Sequence, residues 1–155
     1  MFCEINGIGH DILKGTNVTS FHLDGNPVKV IDKNSFRGSK VRAFGCDSCQ
    51  LTSKVAFNGF LKKMDLHSLF LTNNNITAIP QDAFTGLNNL DTLHLRGNPL
   101  VCDCDLIWLR SFADHIKYSD KFSWKCALPR KVSGRSLISL KKSEMCDKQS
   151  SDGTF

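Results

Sequence analysis

Four stretches of this chain repeat one pattern of apolar residues at a nearly constant period. The stretch "LHSLFLTNNNITAIPQDAFTGL" begins at Leu66 and reads L-x-x-L-x-L-x-x-N-x-I-x-x-I-P-x-x-x-F. "LDTLHLRGNPL" opens the same way at Leu90, with Leu93, Leu95, Asn98 and Leu100 in step. Upstream, "VTSFHLDGNPVKVIDKNSF" carries Val18, Phe21, Leu23, Asn26, Val28, Ile31 and Phe36. A weaker copy, "VRAFGCDSCQL", supplies Val41, Phe44, Cys46, Cys49 and Leu51, with Phe57 after a shortened spacer. First positions fall at 18, 41, 66 and 90, giving periods of 23, 25 and 24 residues. A unit of that length cannot bury its own apolar face, so successive units must stack into one continuous core.

The stacking predicts local structure. Each unit gives a short parallel strand whose L-x-L residues face inward. The Asn at the bend, Asn26, Asn74 or Asn98, turns in and bonds backbone groups of neighbouring coils, because a buried amide needs partners. Phe36, Phe57 and Phe84 are expected to stack as a spine along the convex side. Cys46 takes a core Leu slot and Cys49 a ladder slot. The favoured expectation is buried thiols acting as small hydrophobes, with a local disulfide as the alternative. C-x-x-C also fits a redox motif, but no βαβ context with a helix amino terminus supports it.

Period and pattern resemble those of leucine-rich-repeat proteins. The resemblance implies an α/β solenoid, a short horseshoe with a parallel β-sheet on its concave face. Four repeats are expected at about 18–40, 41–65, 66–89 and 90–101.

A solenoid must be capped at its ends. After the last repeat, "DLIWLRSFADHI" (105–116) sets Leu106, Leu109, Phe112, Ala113 and Ile116 at helical spacing, with Asp105 as the expected N-cap. Four of the seven cysteines surround it: Cys102, Cys104, Cys126 and Cys146. Sequence alone leaves three connectivities open, and zinc held with His115 is a rival. C-x-C is too tight for the usual start of a zinc site. The segment 98–146 resembles the cysteine-rich carboxy-terminal flanking domain of extracellular leucine-rich-repeat proteins. Matching residues are Asn98-Pro99, Cys102-x-Cys104, Leu106, Trp108-Leu109, Cys126, Pro129, Gly134, Leu137 and Cys146. The resemblance implies the pairs Cys102–Cys126 and Cys104–Cys146 and a helical cap over 102–146.

At the other end, Cys3, Asn17-Val18-Thr19, Phe21, Leu23 and Asp24-Gly25-Asn26 resemble the tail of an amino-terminal flanking domain of Slit-type adhesion proteins. Residues 1–17 are therefore expected to be a remnant of such a cap, truncated and leaving Cys3 without its natural partner. Residues 147–155 are polar and expected to be a flexible tail. The first fifteen residues lack the basic and apolar regions of a secretory signal. No run approaches the ~18 apolar residues of a membrane span.

Two or three disulfides belong in an oxidising compartment, so the chain reads as secreted or as the ectodomain of a membrane protein. Sequons at Asn17 and Asn75 agree.

The variable positions of the strands predict columns on the concave face. They run Ser20, Ala43, Ser68, Thr92; then His22, Gly45, Phe70, His94; then Asp24, Asp47, Thr72, Arg96. A ligand-binding surface is expected from His22, Asp24, Asp47, Phe70, Thr72, His94 and Arg96, with Phe70 as its aromatic anchor. His22 and His94 are three rungs apart, roughly 14 Å, too far to share a metal. From Lys121 to Lys142 there is no acidic residue. Lys125, Arg130, Lys131, Arg135, Lys141 and Lys142 there form a candidate site for a sulfated glycosaminoglycan. Nucleic acid is not expected, because no aromatic stacking platform accompanies the charge.

No nucleophile elbow, metal-binding helix or phosphate loop occurs, so no catalytic, metal or cofactor site is expected. The function expected is an extracellular protein–protein interaction module in adhesion, reception or matrix. A glycosaminoglycan-binding matrix protein and an intracellular leucine-rich-repeat scaffold are the alternatives.

Overall fold

The computed structural model describes residues 4–146. Cys3 and the tail 147–155 lie outside the described residues. Nine short strands occur among those described: β1 (Gly7–Ile8), β2 (Ser20–His22), β3 (Val30–Ile31), β4 (Ala43–Gly45), β5 (Ser68–Phe70), β6 (Thr92–His94), β7 (Leu100–Val101), β8 (Tyr118–Ser119) and β9 (Cys126–Leu128). Three short α-helices accompany them: α1 (Ser53–Ala56), α2 (Trp108–Ala113) and α3 (Lys142–Met145).

The L-x-L repeats generate the inner wall. β2, β4, β5, β6 and β8 form one parallel sheet in that order. Its register aligns Ser20, Ala43, Ser68, Thr92 and Tyr118 along one column, and His22, Gly45, Phe70 and His94 along the next. Between them Phe44, Leu69 and Leu93 point into the core and are fully buried, as alternation along a strand requires. The first positions Val41, Leu66 and Leu90 are buried too, whereas Val18 is 45% exposed because β2 is the edge of the sheet.

The Asn ladder follows from burial. Asn74 Nδ2 donates to the carbonyls of Cys46 (2.8 Å) and Leu71 (3.0 Å), and its Oδ1 accepts from the N–H groups of Cys49 and Leu51. Asn98 repeats this, donating to Leu71 and Leu95 and accepting from Ile76. At Cys49, which occupies the same slot, the sulfur lies 3.2 Å from the carbonyl of Leu23. Here the structure departs from the expected free thiols: Cys46 and Cys49 are joined as a disulfide. A turn of four residues brings their Cα atoms to 5.5 Å, within the range a disulfide spans.

The aromatic spine also departs from expectation at the weak repeat. Phe36 packs on Phe60 (5.8 Å between centroids) and both pack on Phe44. Phe60, not Phe57, fills the buried slot. It follows Cys49 by 11 residues, against 10 from Asn26 to Phe36 and from Asn74 to Phe84, so the spacer through α1 is not shortened but one residue longer. Phe57 is half-buried and meets Phe84 edge-on at 6.0 Å.

Residues 5–16, expected to be part of a cap remnant, run along the outer wall as half a coil. β1 pairs with β3 in parallel, Ile8 against Ile31, and Leu13 and Gly15 donate to the carbonyls of Ser35 and Arg37. The offset is the 23-residue repeat period. Gly15 and Gly38 show it directly: both hold left-handed φ values, 68° and 72°, at equivalent turns.

The carboxy-terminal end is covered. α2 lays Leu109 and Ala113 on the final coil, flanked by Leu106 and Ile116, all buried. The 3-10 turn Cys104–Leu106 that leads into it is capped by Asp103, whose side chain accepts from Asp105 N–H. α2 itself starts after Ile107 with no side-chain cap, so the expected N-cap Asp105 caps neither. Trp108 Nε1 donates to Ile79 O, and Phe84 stacks on Phe112 at 5.1 Å, so the spine continues into the cap. Cys102 is bonded to Cys126 and Cys104 to Cys146.

Candidate functional site

The concave sheet presents its second column to solvent as a band of rings. The register alone separates His22 and Phe70 by two rungs, about 9.6 Å. In the structure their rings lie 6.1 Å apart and nearly parallel, and Phe70 meets His94 edge-on at 5.1 Å. Gly45 makes this possible. A Cβ at that position would lie 2.2 Å from His22 Nδ1, so the imidazole rests in space that any other residue would occupy. His22, Phe70 and His94 therefore form one surface spanning four rungs. Its sequence signal was the single Gly in the column, visible but not interpretable without the ring positions.

The third column behaves differently from a ligand-facing row. Asp24 Oδ1 accepts from Asp47 N–H (2.8 Å), and Asp47 Oδ1 from Thr72 N–H (2.7 Å). Asp120 does the same for Leu95 and Arg96. These carboxylates close the backbone at the ends of the strands. Asp24 also lies 3.7 Å from His22 Nδ1 and steadies that ring. Thr72 is half-buried in this row, and Arg96 projects at its cap end, exposed.

The basic cap residues Lys125, Arg130, Lys131, Arg135, Lys141 and Lys142 are all exposed. Arg135 is bonded to Glu144, a carboxylate just past the acid-free run. The N–H of Lys141, and then Arg135, hold the Glu144 carboxyl below its ordinary value. Asn17 and Asn75 are exposed, and Thr77 of the second sequon lies beside Ser53, their hydroxyls 3.4 Å apart.

On the opposite face, Phe57, Ile79, Ile107 and Trp108 line an open groove of about 760 Å³ where the cap meets the repeats. Among the described residues no three His, Cys, Asp or Glu side chains are placed to hold a metal ion. No helix among them is long and apolar enough to cross a membrane.

Comparison with known proteins agrees with this architecture. The leucine rich repeat family model matches residues 52–101. The human platelet glycoprotein Ib beta chain is 36% identical over 86 residues, which are 53% of this chain and 40% of that protein. Mouse immunoglobulin superfamily member 10 is 31% identical over 96 residues, 54% of this chain and 4% of that protein. This chain thus spans well under half of each. Among solved structures, mouse RP105 in its complex with MD-1 superposes with a TM-score of 0.65 over 77% of this chain and 20% of its own, at 23% identity. Human 5T4, trophoblast glycoprotein, gives 0.64 over 81% of this chain and 46% of its own, at 22% identity. The likeness to these two structures is one of fold.

Proposed function

We propose that this leucine-rich-repeat chain, whose cysteine-rich carboxy-terminal flank is of the extracellular type, is a recognition module that binds a protein ligand on its concave face. The observation that carries the reading is the ring band His22–Phe70–His94 on the concave sheet. His22 is exposed, Phe70 and His94 are half-buried, and Gly45 leaves the space for the His22 ring. Rigid aromatics at the centre of a surface lose little entropy on binding and supply most of the energy of an interface. The module works by complementarity on a stiff scaffold and performs no chemistry of its own.

Three further points support an adhesion or receptor role outside the cell. Three disulfides are the usage of an oxidising compartment. Both sequons are exposed, and one relative, the platelet glycoprotein Ib beta chain, is a glycoprotein by name. RP105, which shares the fold, is solved as a complex with another protein. Within the concave surface, His22, Phe70, Thr72, His94 and Arg96 contact ligand, while Asp24 and Asp47 hold the frame. A second reading, a sulfated glycosaminoglycan on the cap, draws on the exposed Lys125, Arg130, Lys131, Lys141 and Lys142, with Arg135 committed to Glu144.

The test screens the disulfide-intact protein against a panel of purified extracellular domains and then varies the surface. Phe70→Asp is expected to weaken a captured ligand by about 2 kcal/mol, roughly thirtyfold. Gly45→Ala, which evicts the His22 ring, is expected to weaken it severalfold. Thermal unfolding of the variants checks that both are folded. A ligand indifferent to both substitutions binds another face, and the reading fails.

A further inference from the structure

The second sequon leads into the groove at the junction of repeats and cap. Asn75 pairs with Thr52 in an isolated parallel bridge, and its N–H donates to Leu51 O at 2.8 Å. Ile76 is buried while Asn75 and Thr77 on either side of it are exposed, so these two side chains leave the same outer surface. Ser53 ties that surface to the groove. Its Oγ accepts from Thr77 N–H (3.0 Å) and Ala78 N–H (3.1 Å), and both Ser53 and Ala78 line the groove. Four residues on from Asn75, at most about 14 Å of extended chain, Ile79 O accepts from Trp108 Nε1 and fixes the indole.

The groove has the chemistry of a sugar seat. Phe57 and Trp108 are half-buried rings that line the same opening, each packed on Phe84 with 6.0 Å between centroids. Carbohydrate sites pair apolar ring surface with a few placed polar groups, because a pyranose has C–H faces and a polar rim. Lys54, Gln81 and Asp105 supply the polar groups. All three line the groove and are exposed, and their side chains make no hydrogen bond or ion pair among the described residues. One cation and one anion leave the lining without net charge, so the groove favours a neutral polar ligand over an acidic or a basic one.

We propose that an N-linked glycan on Asn75 folds back into this groove, its core sugars seated on Phe57 and Trp108 and hydrogen-bonded to Lys54, Gln81 and Asp105. The chain thereby supplies its own ligand. A sugar tethered beside the groove is held at an effective concentration in about the millimolar range, so contacts too weak to capture free carbohydrate suffice. The seated glycan covers apolar ring surface where the cap meets the repeats. It also closes this side of the molecule to other proteins and leaves the concave sheet as the open face. The proposal does not depend on which ligand that sheet takes.

The test secretes the chain from mammalian cells behind a cleavable leader, in medium with isotope-labelled glucose and on an Asn17→Gln background that removes the other sequon. Peptide mass mapping reads the occupancy of Asn75, and NMR reads where its sugars lie. The expected spectrum shows nuclear Overhauser contacts from N-acetylglucosamine protons to the Phe57 and Trp108 rings, with upfield ring-current shifts, all lost in Asn75→Gln. Endoglycosidase acting on the folded protein is expected to release this glycan at least tenfold more slowly than from Lys54→Ser/Gln81→Ser/Asp105→Ser, three exposed substitutions outside the core. Thermal unfolding checks that this variant is folded. An unmodified Asn75 overturns the proposal. So does a glycan whose signals stay as narrow and unshifted as those of free oligosaccharide, or whose release is the same from both proteins. Each of these results leaves the concave-face reading to its own test by Phe70→Asp.

Discussion

At the scale of single residues, the fold depends on amides that satisfy backbone groups no neighbouring strand can reach. Asn74 and Asn98 are equally buried, at 5%, and each is bonded to two coils at once. Asn26, in contrast, is half-buried and serves Leu23 O and Ile5 N–H near the open edge. Asn74→Ala strands several buried groups, each costing about 1–3 kcal/mol. The expected loss is about 3 kcal/mol for Asn74→Ala and about 1 kcal/mol for Asn26→Ala, read from urea unfolding. Equal losses would mean that the ladder does not carry the stability assigned to it. The Asn positions were legible in the sequence because their role depends only on spacing. The joining of Cys46 to Cys49 was not, since the same slots accept a thiol or a disulfide and only the turn between them decides. The part played by Gly45 was hidden for a related reason: an empty position says nothing until a neighbour's ring is seen to fill it.

At the scale of elements, period told more than boundaries. The apolar spacing of α2 located the cap helix but not its start. The segment opens as a 3-10 turn capped by Asp103, whose side chain accepts from Asp105 N–H, and α2 follows from Trp108 without a side-chain cap. In the weak repeat two phenylalanines compete for the spine. The slot falls on Phe60, 11 residues after Cys49 and close to the 10-residue spacing of the flanking repeats, rather than on Phe57. α3 was not foreseen at all. It is four residues long and held by Glu144, which accepts from Lys141 N–H (2.9 Å) and from Arg135. Because these bonds lower the Glu144 carboxyl below its ordinary value of 4.5, the ionised form is the one that stabilises the fold. That contribution is complete above about pH 4.5 and disappears as pH falls through the lowered folded value. Glu144→Gln is therefore expected to be less stable than the native chain at pH 7 and to converge with it under strong acid. Unfolding of both proteins across that range checks this, and a difference independent of pH would remove the carboxylate from the account.

At the scale of the whole molecule, stability passes from coil to coil, so the ends matter more than their size. The repeat pattern made the solenoid readable, but β8 lies outside the pattern and its place in the sheet depends on how the cap folds back over Asp91. The cap is in turn held by two disulfides with different exposure. Cys102 and Cys126 are buried, at 0% and 3%, whereas Cys104 is exposed and Cys146 half-buried. A reductant must reach a sulfur to open the bond, so Cys104–Cys146 is expected to be reduced first in the native protein, ahead of Cys102–Cys126 and of the fully buried Cys46–Cys49. Stepwise reduction with alkylation and peptide mass mapping reads this order directly. Opening the 42-residue separation removes a constraint worth up to about 4 kcal/mol in the unfolded chain, against about 2 kcal/mol for the separation of three. Cys104→Ser/Cys146→Ser is thus expected to lower the melting temperature more than Cys46→Ser/Cys49→Ser. It is also expected to raise amide exchange first in α3 and then in β8, since the cap covers a core that a solenoid otherwise leaves open. If β8 keeps its protection while α3 exchanges freely, the fifth rung is supported by the repeats rather than by the staple.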